Sequence, residues 1–253
     1  MSAPGILFPR SSAAVGISLP RLKEELVSFA APGSPGAEQY RGLRHSVERL
    51  HRDSGVQVIA VTSPGPGDGK TITSLNLAGS LAQSSDARVL LVDADLHKAS
   101  VSSYLGLSRH RGPGLAEAIA DKSADFVDAV RRLDTINLSV MQAGAAHPRP
   151  HELLSSTRLE GLIGEMRQHF DYILIDTPPV VPVSDCRFLG RWVDGFIVVV
   201  AAHRTPRKMV AEAVRLLDGN KLLGIVFNGD DGPLRSYYKY YGAPAPSDPP
   251  IAG

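Results

Sequence analysis

A turn rich in glycine and proline, Pro64-Gly65-Pro66-Gly67-Asp68-Gly69-Lys70-Thr71, constrains this chain more than any other stretch. It follows the apolar run Val58-Ile59-Ala60-Val61 and precedes residues 72–82, whose pattern predicts a helix. Strand, glycine-rich turn, Gly-Lys-Thr and helix are the context in which a phosphate-binding loop works. The tight turn lets successive backbone N–H groups face one concavity. A helix N-terminus adds unpaired N–H groups and partial positive charge. Lys70 would reach the β- and γ-phosphates of a nucleotide, and the Thr71 hydroxyl would sit on Mg2+. The phosphate-holding set is therefore Gly65, Gly67, Asp68, Gly69, Lys70, Thr71 and Ile72. One position departs from the strict pattern: Pro64 stands five residues before Gly69, where a glycine is expected.

Two further apolar runs end in acid. The first is Val89-Leu90-Leu91-Val92-Asp93-Ala94-Asp95 and the second Tyr172-Ile173-Leu174-Ile175-Asp176, which continues into Thr177-Pro178-Pro179. Such runs read as buried parallel strands that deliver carboxylates to the carboxyl edge of a sheet. Asp93 and Asp95 are two apart and point the same way on an extended chain. One would orient Mg2+ or its waters and the other accept a proton, unless they serve as a helix cap and a salt bridge. Asp176 is the natural holder of a Mg2+ water beside the γ-phosphate, with Thr71 and Asp93 completing the metal set.

More strands are expected at 136–141, 195–201 and 222–227. Helices are expected at 101–107, from 114, at 126–133, at 152–169 and at 205–217. This alternation predicts an α/β fold: a doubly wound, mostly parallel sheet with helices on both faces. Asn228, after the last strand, would contact an adenine or serve a turn. Arg204, Arg207 and Lys208 oppose the dipole at a helix start, so a nearby anion would explain them. His97 lacks a histidine or cysteine partner at zinc-ligand spacing, and Lys98 either approaches the phosphates or faces solvent. Asp185 reads as partly capping, and Cys186 as a semi-buried thiol.

The chain has 253 residues, enough for one large domain with extensions. Residues 1–36 read as a flexible or loosely packed extension that could still pack against the domain or a neighbour, 37–230 as the nucleotide domain and 231–253 as a flexible tail. A net charge of +1 gives no reason to invoke nucleic acid, and a single cysteine excludes an internal disulfide. With no run of 18 apolar residues and no secretory signal, a cytoplasmic protein is expected. Tyr40, Leu43, Val47 and Leu50 recur at helical spacing after Pro35. On that helix, Glu38, Arg41 and Arg44 form either a solvated charged face with a weak i, i+3 pair or a self-association surface. The tail carries four of the seven tyrosines, Tyr237, Tyr238, Tyr240 and Tyr241, as a packing patch or as mobile phosphate acceptors.

In this order, Glu38-x-x-Arg41-x-x-Arg44, the loop ending Gly69-Lys70-Thr71, the two acidic strands and the tyrosine cluster resemble the bacterial tyrosine kinases of capsule and exopolysaccharide production. The resemblance covers about residues 32–242. It implies a P-loop fold with a second acidic Walker-type motif, ATP and Mg2+ as cofactors, and Lys70, Asp93 and Asp95 as catalytic residues. It makes Glu38, Arg41 and Arg44 the contact of a homo-oligomer such as a ring, and the four tail tyrosines autophosphorylation sites. It also implies a separate membrane adaptor that recruits the chain to the inner face of the membrane, and a tyrosine phosphatase as counterpart. Two departures stand out: His97 where an arginine is common, and Lys239 interrupting the tyrosines. The rivals are a partition-type P-loop ATPase and a non-catalytic nucleotide-sensing scaffold. The former normally places a lysine at the position of Gly65 and has no reason for a tyrosine tail.

Overall fold

A computed structural model describes residues 23–107, 112–121, 123, 125–133 and 136–230. Four apolar runs make the centre of one sheet: β1 (Val58–Thr62), β2 (Val89–Asp93), β5 (Tyr172–Asp176) and β6 (Gly195–Ala201). Every residue of these strands is buried, as a strand covered on both faces requires. With β3 (Val130–Leu133), β4 (Leu138–Met141) and β7 (Leu222–Asn228), the order across the sheet is β3-β4-β2-β5-β1-β6-β7. All pairings are parallel except β3 with β4.

That antiparallel edge corrects the sequence reading, which extended one helix over 126–133. The helix stops at Ala129, and Val130-Arg131-Arg132-Leu133 turns back to pair with β4. Four half-buried residues are too few for periodicity to distinguish strand from helix. At the other edge, β7 leaves Phe227 65% exposed.

Helices cover both faces. On one lie α1 (Val27–Ala30), α2 (Pro35–Ser54), α3 (Lys70–Leu81) and α4 (Val101–Tyr104). On the other lie α5 (Leu115–Ala120), α6 (Phe126–Ala129), α7 (Pro150–Leu154), α8 (Thr157–His169), α9 (Asp185–Leu189) and α10 (Arg207–Leu216). Helix α2 begins as its sequence dictates: Ser34 Oγ accepts from Ala37 N at 3.2 Å, and Pro35 occupies the first turn. It ends at Gly55, whose φ of 69° is left-handed.

The described end of the N-terminal extension packs against the domain. Leu26 is fully buried against the α3 side of the core. Ser28 N donates to Asn76 Oδ1 at 2.9 Å, and Asn76 Nδ2 donates to the Glu25 carbonyl at 2.8 Å. One buried asparagine thus satisfies the backbone of a segment 48 residues away in sequence.

Asp194, just before β6, joins helix α8 to the start of β1. Its Oδ2 accepts from Gln57 N at 2.8 Å and Val58 N at 2.7 Å, while Arg167 binds both carboxylate oxygens, at 2.9 and 2.6 Å. Among the described residues no helix is long and apolar enough to cross a membrane.

Candidate active site

The carboxyl ends of β1, β2 and β5 converge on the loop between β1 and α3. Within that loop Gly67 and Gly69 have φ of 83° and 98°, a region costly for residues with a Cβ. Gly69 also has no room: an added Cβ would lie 1.9 Å from Asn228 Nδ2. The loop is braced from outside. Asp68 Oδ2 accepts from Gly65 N at 2.9 Å, Asp68 Oδ1 accepts from Thr205 Oγ1 at 2.7 Å, and Asn228 Nδ2 donates to the Asp68 carbonyl at 3.1 Å. The Asp68 carboxylate is therefore committed to holding the loop's shape. Only its backbone remains for the phosphate-holding role read from the sequence. Asn228 lies against the loop itself. Arg204, from the connection after β6, approaches the same loop; its guanidinium would lie 3.9 Å from a Cβ on Gly67.

Inside the loop, hydroxyls, carboxylates and one ammonium form a single network. Thr71 Oγ1 donates to Asp176 Oδ2 at 2.7 Å and lies 3.2 Å from Ser100 Oγ. Ser74, one turn further along α3, donates to Asp176 Oδ1 at 3.2 Å. Lys70 Nζ donates to Asp95 Oδ2 at 2.9 Å and lies 3.8 Å from Asp176 Oδ2. Asp93 is wholly buried, and its Oδ2 accepts from Ser100 N at 3.0 Å and Val101 N at 3.1 Å, where α4 starts. Asp95 Oδ1 accepts from Lys98 N at 2.9 Å.

The acids sit close enough to alter one another's ionisation. Burial, reinforced by the Asp176 charge, pushes Asp93 up to about 7, against the pull of the Val101 and Ser100 N–H groups. Burial also pushes Asp176 up, opposed by Lys70 and the Thr71 hydroxyl. For Lys70, burial works against the charged form, but Asp176, Asp95 and Asp93 together raise it above the ordinary lysine value. The ammonium is thus secure as a cation at neutral pH.

Of the residues read from the sequence, Lys70, Thr71, Asp93, Asp95 and Asp176 meet here. Ile72 lies in the first turn of α3, partly exposed. Ser74 and Ser100 complete the network and Thr205 braces the loop; none carried a signal, since isolated hydroxyl residues occur throughout the chain. His97 Nε2 pairs with Asp185 Oδ2 at 2.8 Å, which replaces the expected capping role of Asp185. Cys186 is fully buried, not semi-buried, and burial pushes its thiol up.

Glu38, Arg41 and Arg44 lie apart from this site, on α2. Arg41 pairs with Glu38 and donates to the Pro32 carbonyl at 2.7 Å. Arg44 donates to Glu48 Oε1 at 2.7 Å and to the Ser80 carbonyl at 3.0 Å. Both guanidiniums thus have partners within their own chain, in place of the free ends that a purely intersubunit role would need. Tyr237, Tyr238, Tyr240 and Tyr241 lie outside the described residues. No cluster of three or more His, Cys, Asp or Glu side chains able to hold a metal occurs among the described residues. The pair that fits a hard cation is Thr71 with Asp176, whose oxygens are the donor type Mg2+ takes.

A mostly parallel sheet with helices on both faces, and a glycine-shaped loop feeding a helix below three carboxylates, define a P-loop nucleotide-binding protein. A family profile described as an AAA domain matches residues 56–203. The chain is 34% identical over 224 residues to tyrosine-protein kinase YwqD of Bacillus subtilis, covering 88% of this chain and 93% of that one. It is 30% identical over 240 residues to the succinoglycan biosynthesis transport protein ExoP of Rhizobium meliloti, covering 92% of this chain and 30% of that one. The kinase domain of Escherichia coli tyrosine kinase ETK superposes with a TM-score of 0.75 at 28% identity, covering 81% of this chain and 79% of that one. The chain belongs to the bacterial tyrosine-protein kinase family. By that membership it is a tyrosine-protein kinase.

Proposed function

We propose that this chain transfers the γ-phosphoryl group of ATP to tyrosines in the 237–241 cluster of neighbouring copies, in a system that makes or exports a polysaccharide. The observation that carries the reading is the contact of Lys70 with Asp95 beside Thr71 and Asp176, at the mouth of the loop. Mg2+, when bound, would neutralise charge on the β- and γ-phosphates; Thr71 and Asp176 would hold it, with Asp93 behind them.

The backbone of Gly65–Ile72 would cradle the phosphates while Lys70 exchanges Asp95 for a phosphate oxygen. Asp95 then stands free to orient a tyrosine hydroxyl or take its proton. It suits that role better than Asp93, whose Oδ2 is held by two backbone N–H groups. A phenol ionises near pH 10, so a carboxylate that helps remove its proton is useful at neutral pH. Asn228, next to the loop, would meet the base. Glu38, Arg41 and Arg44 would bring copies together, through the parts of α2 their intrachain bonds leave accessible. A membrane adaptor would recruit the assembly, and a phosphatase would reset it. Each phosphotyrosine adds up to about two negative charges, so a fully modified cluster would repel its neighbours and loosen the assembly.

The test mixes two full-length chains with labelled ATP and Mg2+: Lys70→Met with an intact tail, and an active chain whose residues 237–241 are replaced by phenylalanine at the tyrosines. Label on the tail of the Lys70→Met chain is the expected result. Label confined to the tail of a wild-type control would overturn transfer between copies. ATP hydrolysis with no phosphotyrosine in any sample would overturn the tail as substrate and favour a partition-type ATPase.

A further inference from the structure

We propose that His97 is a positioning residue for phosphate transfer: anchored on the buried carboxylate of Asp185, it holds the turn that presents Asp95 to Lys70. The inference rests on the kinase reading above and adds a residue to its machinery.

The contact is specific. His97 Nε2 lies 2.8 Å from Asp185 Oδ2, and the Asp185 side chain is 4% exposed whereas that of His97 is 46% exposed. A carboxylate this buried is costly without a hydrogen-bonding partner, and the imidazole supplies one. The pair joins positions 88 residues apart, the loop after β2 and the first residue of α9.

What the anchor holds is the catalytic turn. Lys98 N donates to Asp95 Oδ1 at 2.9 Å, which closes a turn from Asp95 to Lys98 with His97 inside it. The other oxygen of Asp95 receives Lys70 Nζ, also at 2.9 Å. Asp185, His97, the turn, Asp95 and Lys70 therefore form a continuous series from the core to the phosphate loop. Ala94 N donates to the Asp176 carbonyl at 2.8 Å and ties the start of the turn to β5, so without the anchor the turn keeps that bond and its local one but loses its tie to α9 at the His97 end. Misplacement of a reacting group by about 1 Å costs on the order of a hundredfold in rate, so a positional device here is worth its single hydrogen bond.

The test uses the full chain as wild type, His97→Ala, His97→Gln and the double variant His97→Ala/Asp185→Asn. Phosphotyrosine formation gives kcat and the KM for ATP, and thermal unfolding gives Tm. We expect His97→Ala to lower kcat by about tenfold or more while KM stays within about twofold. His97→Gln, which keeps an N–H donor, should recover most of the rate. In the double variant the stranded carboxylate is gone, so Tm should return towards wild type while kcat stays low. A wild-type kcat in His97→Ala, or a kcat that recovers together with Tm in the double variant, would overturn the positioning role alone. Absence of phosphotyrosine from the wild-type chain would instead overturn the kinase reading, and this inference with it.

Discussion

Arg44 Nη1 donates to the carbonyl oxygen of Ser80 at 3.0 Å, fastening α2 to the last turn of α3. That carbonyl belongs to a helix end, where its backbone donor, Gln83 N, is a long 3.4 Å away, so the guanidinium supplies the shorter bond. Arg44→Ala is expected to lower stability by about 1–3 kcal/mol, as for a lost bond to a charged donor. Arg41→Ala, which breaks a more exposed pair, should cost under about 1 kcal/mol. Urea unfolding beside light scattering separates the roles. Assembly lost in Arg41→Ala at unchanged stability would identify Arg41 as the intersubunit contact, and equal stability of both variants would refute the structural role of Arg44.

Thr71→Ala should weaken nucleotide binding in Mg2+ by about ten- to a hundredfold, the equivalent of a bond to a charged group. The same substitution should change affinity little in EDTA, the outcome expected of a hydroxyl that acts through a cation as proposed above. Titration of a fluorescent ADP analogue with and without Mg2+ reads both numbers. An equal loss in the two conditions would place the hydroxyl's effect on the loop instead.

Gly69→Ala is expected to cost at least about 1–2 kcal/mol from the left-handed backbone alone, with the clash on Asn228 added. Asn228→Ala in the same chain should return only the second part. If the double variant regains full stability in urea, the backbone angle contributes nothing and the contact is everything.

The ion pair of Arg167 with Asp194 sets an acid limit. Burial works against the Asp194 carboxylate, but the Arg167 bonds and the Val58 and Gln57 N–H groups overcome it and lower its pKa. A carboxyl lowered on folding contributes stability that is complete above its unfolded value, about 3.9, and lost as pH falls through the lower folded value. Asp194→Asn should therefore destabilise the protein at pH 7 and converge with wild type as pH drops below about 4. Unfolding free energies measured across that range decide it; a gap that persists at pH 2 would trace the effect to geometry rather than charge.

Leu26→Ala should cost about 2–5 kcal/mol, the range for emptying a fully buried leucine site. A near-neutral result in thermal unfolding would mean that the segment before α2 is detachable from the domain.

The sheet and its loop were legible because their signals are local. Buried parallel strands write themselves as apolar runs, and the glycines of the loop record backbone angles that few other residues accept. The edge strand β3 was misread because a four-residue, half-buried segment takes its conformation from β4, its pairing partner, rather than from its own pattern. The contact of His97 with Asp185 escaped for another reason: both residues were noted, but only the fold brings positions so distant in sequence within 2.8 Å. The same holds for Ser74 and Ser100, which gain meaning from a carboxylate and a hydroxyl supplied by other elements. Asp68 shows the reverse case, where a residue inside a strong motif turns its side chain away to brace the loop.

The register of β2 against β5 sets Asp93 opposite Asp176, so two of the site's three acids share one rung of the sheet. Neighbouring parallel strands this far apart along the chain pair only after a long loop has closed, a slow step in folding. The nucleotide site therefore depends on long-range pairing: a chain that has not seated β5 between β1 and β2 has no acidic rung to offer. A nucleotide that binds only the finished sheet would favour it over its precursors by mass action. The chain thus has its chemistry only once its architecture is closed.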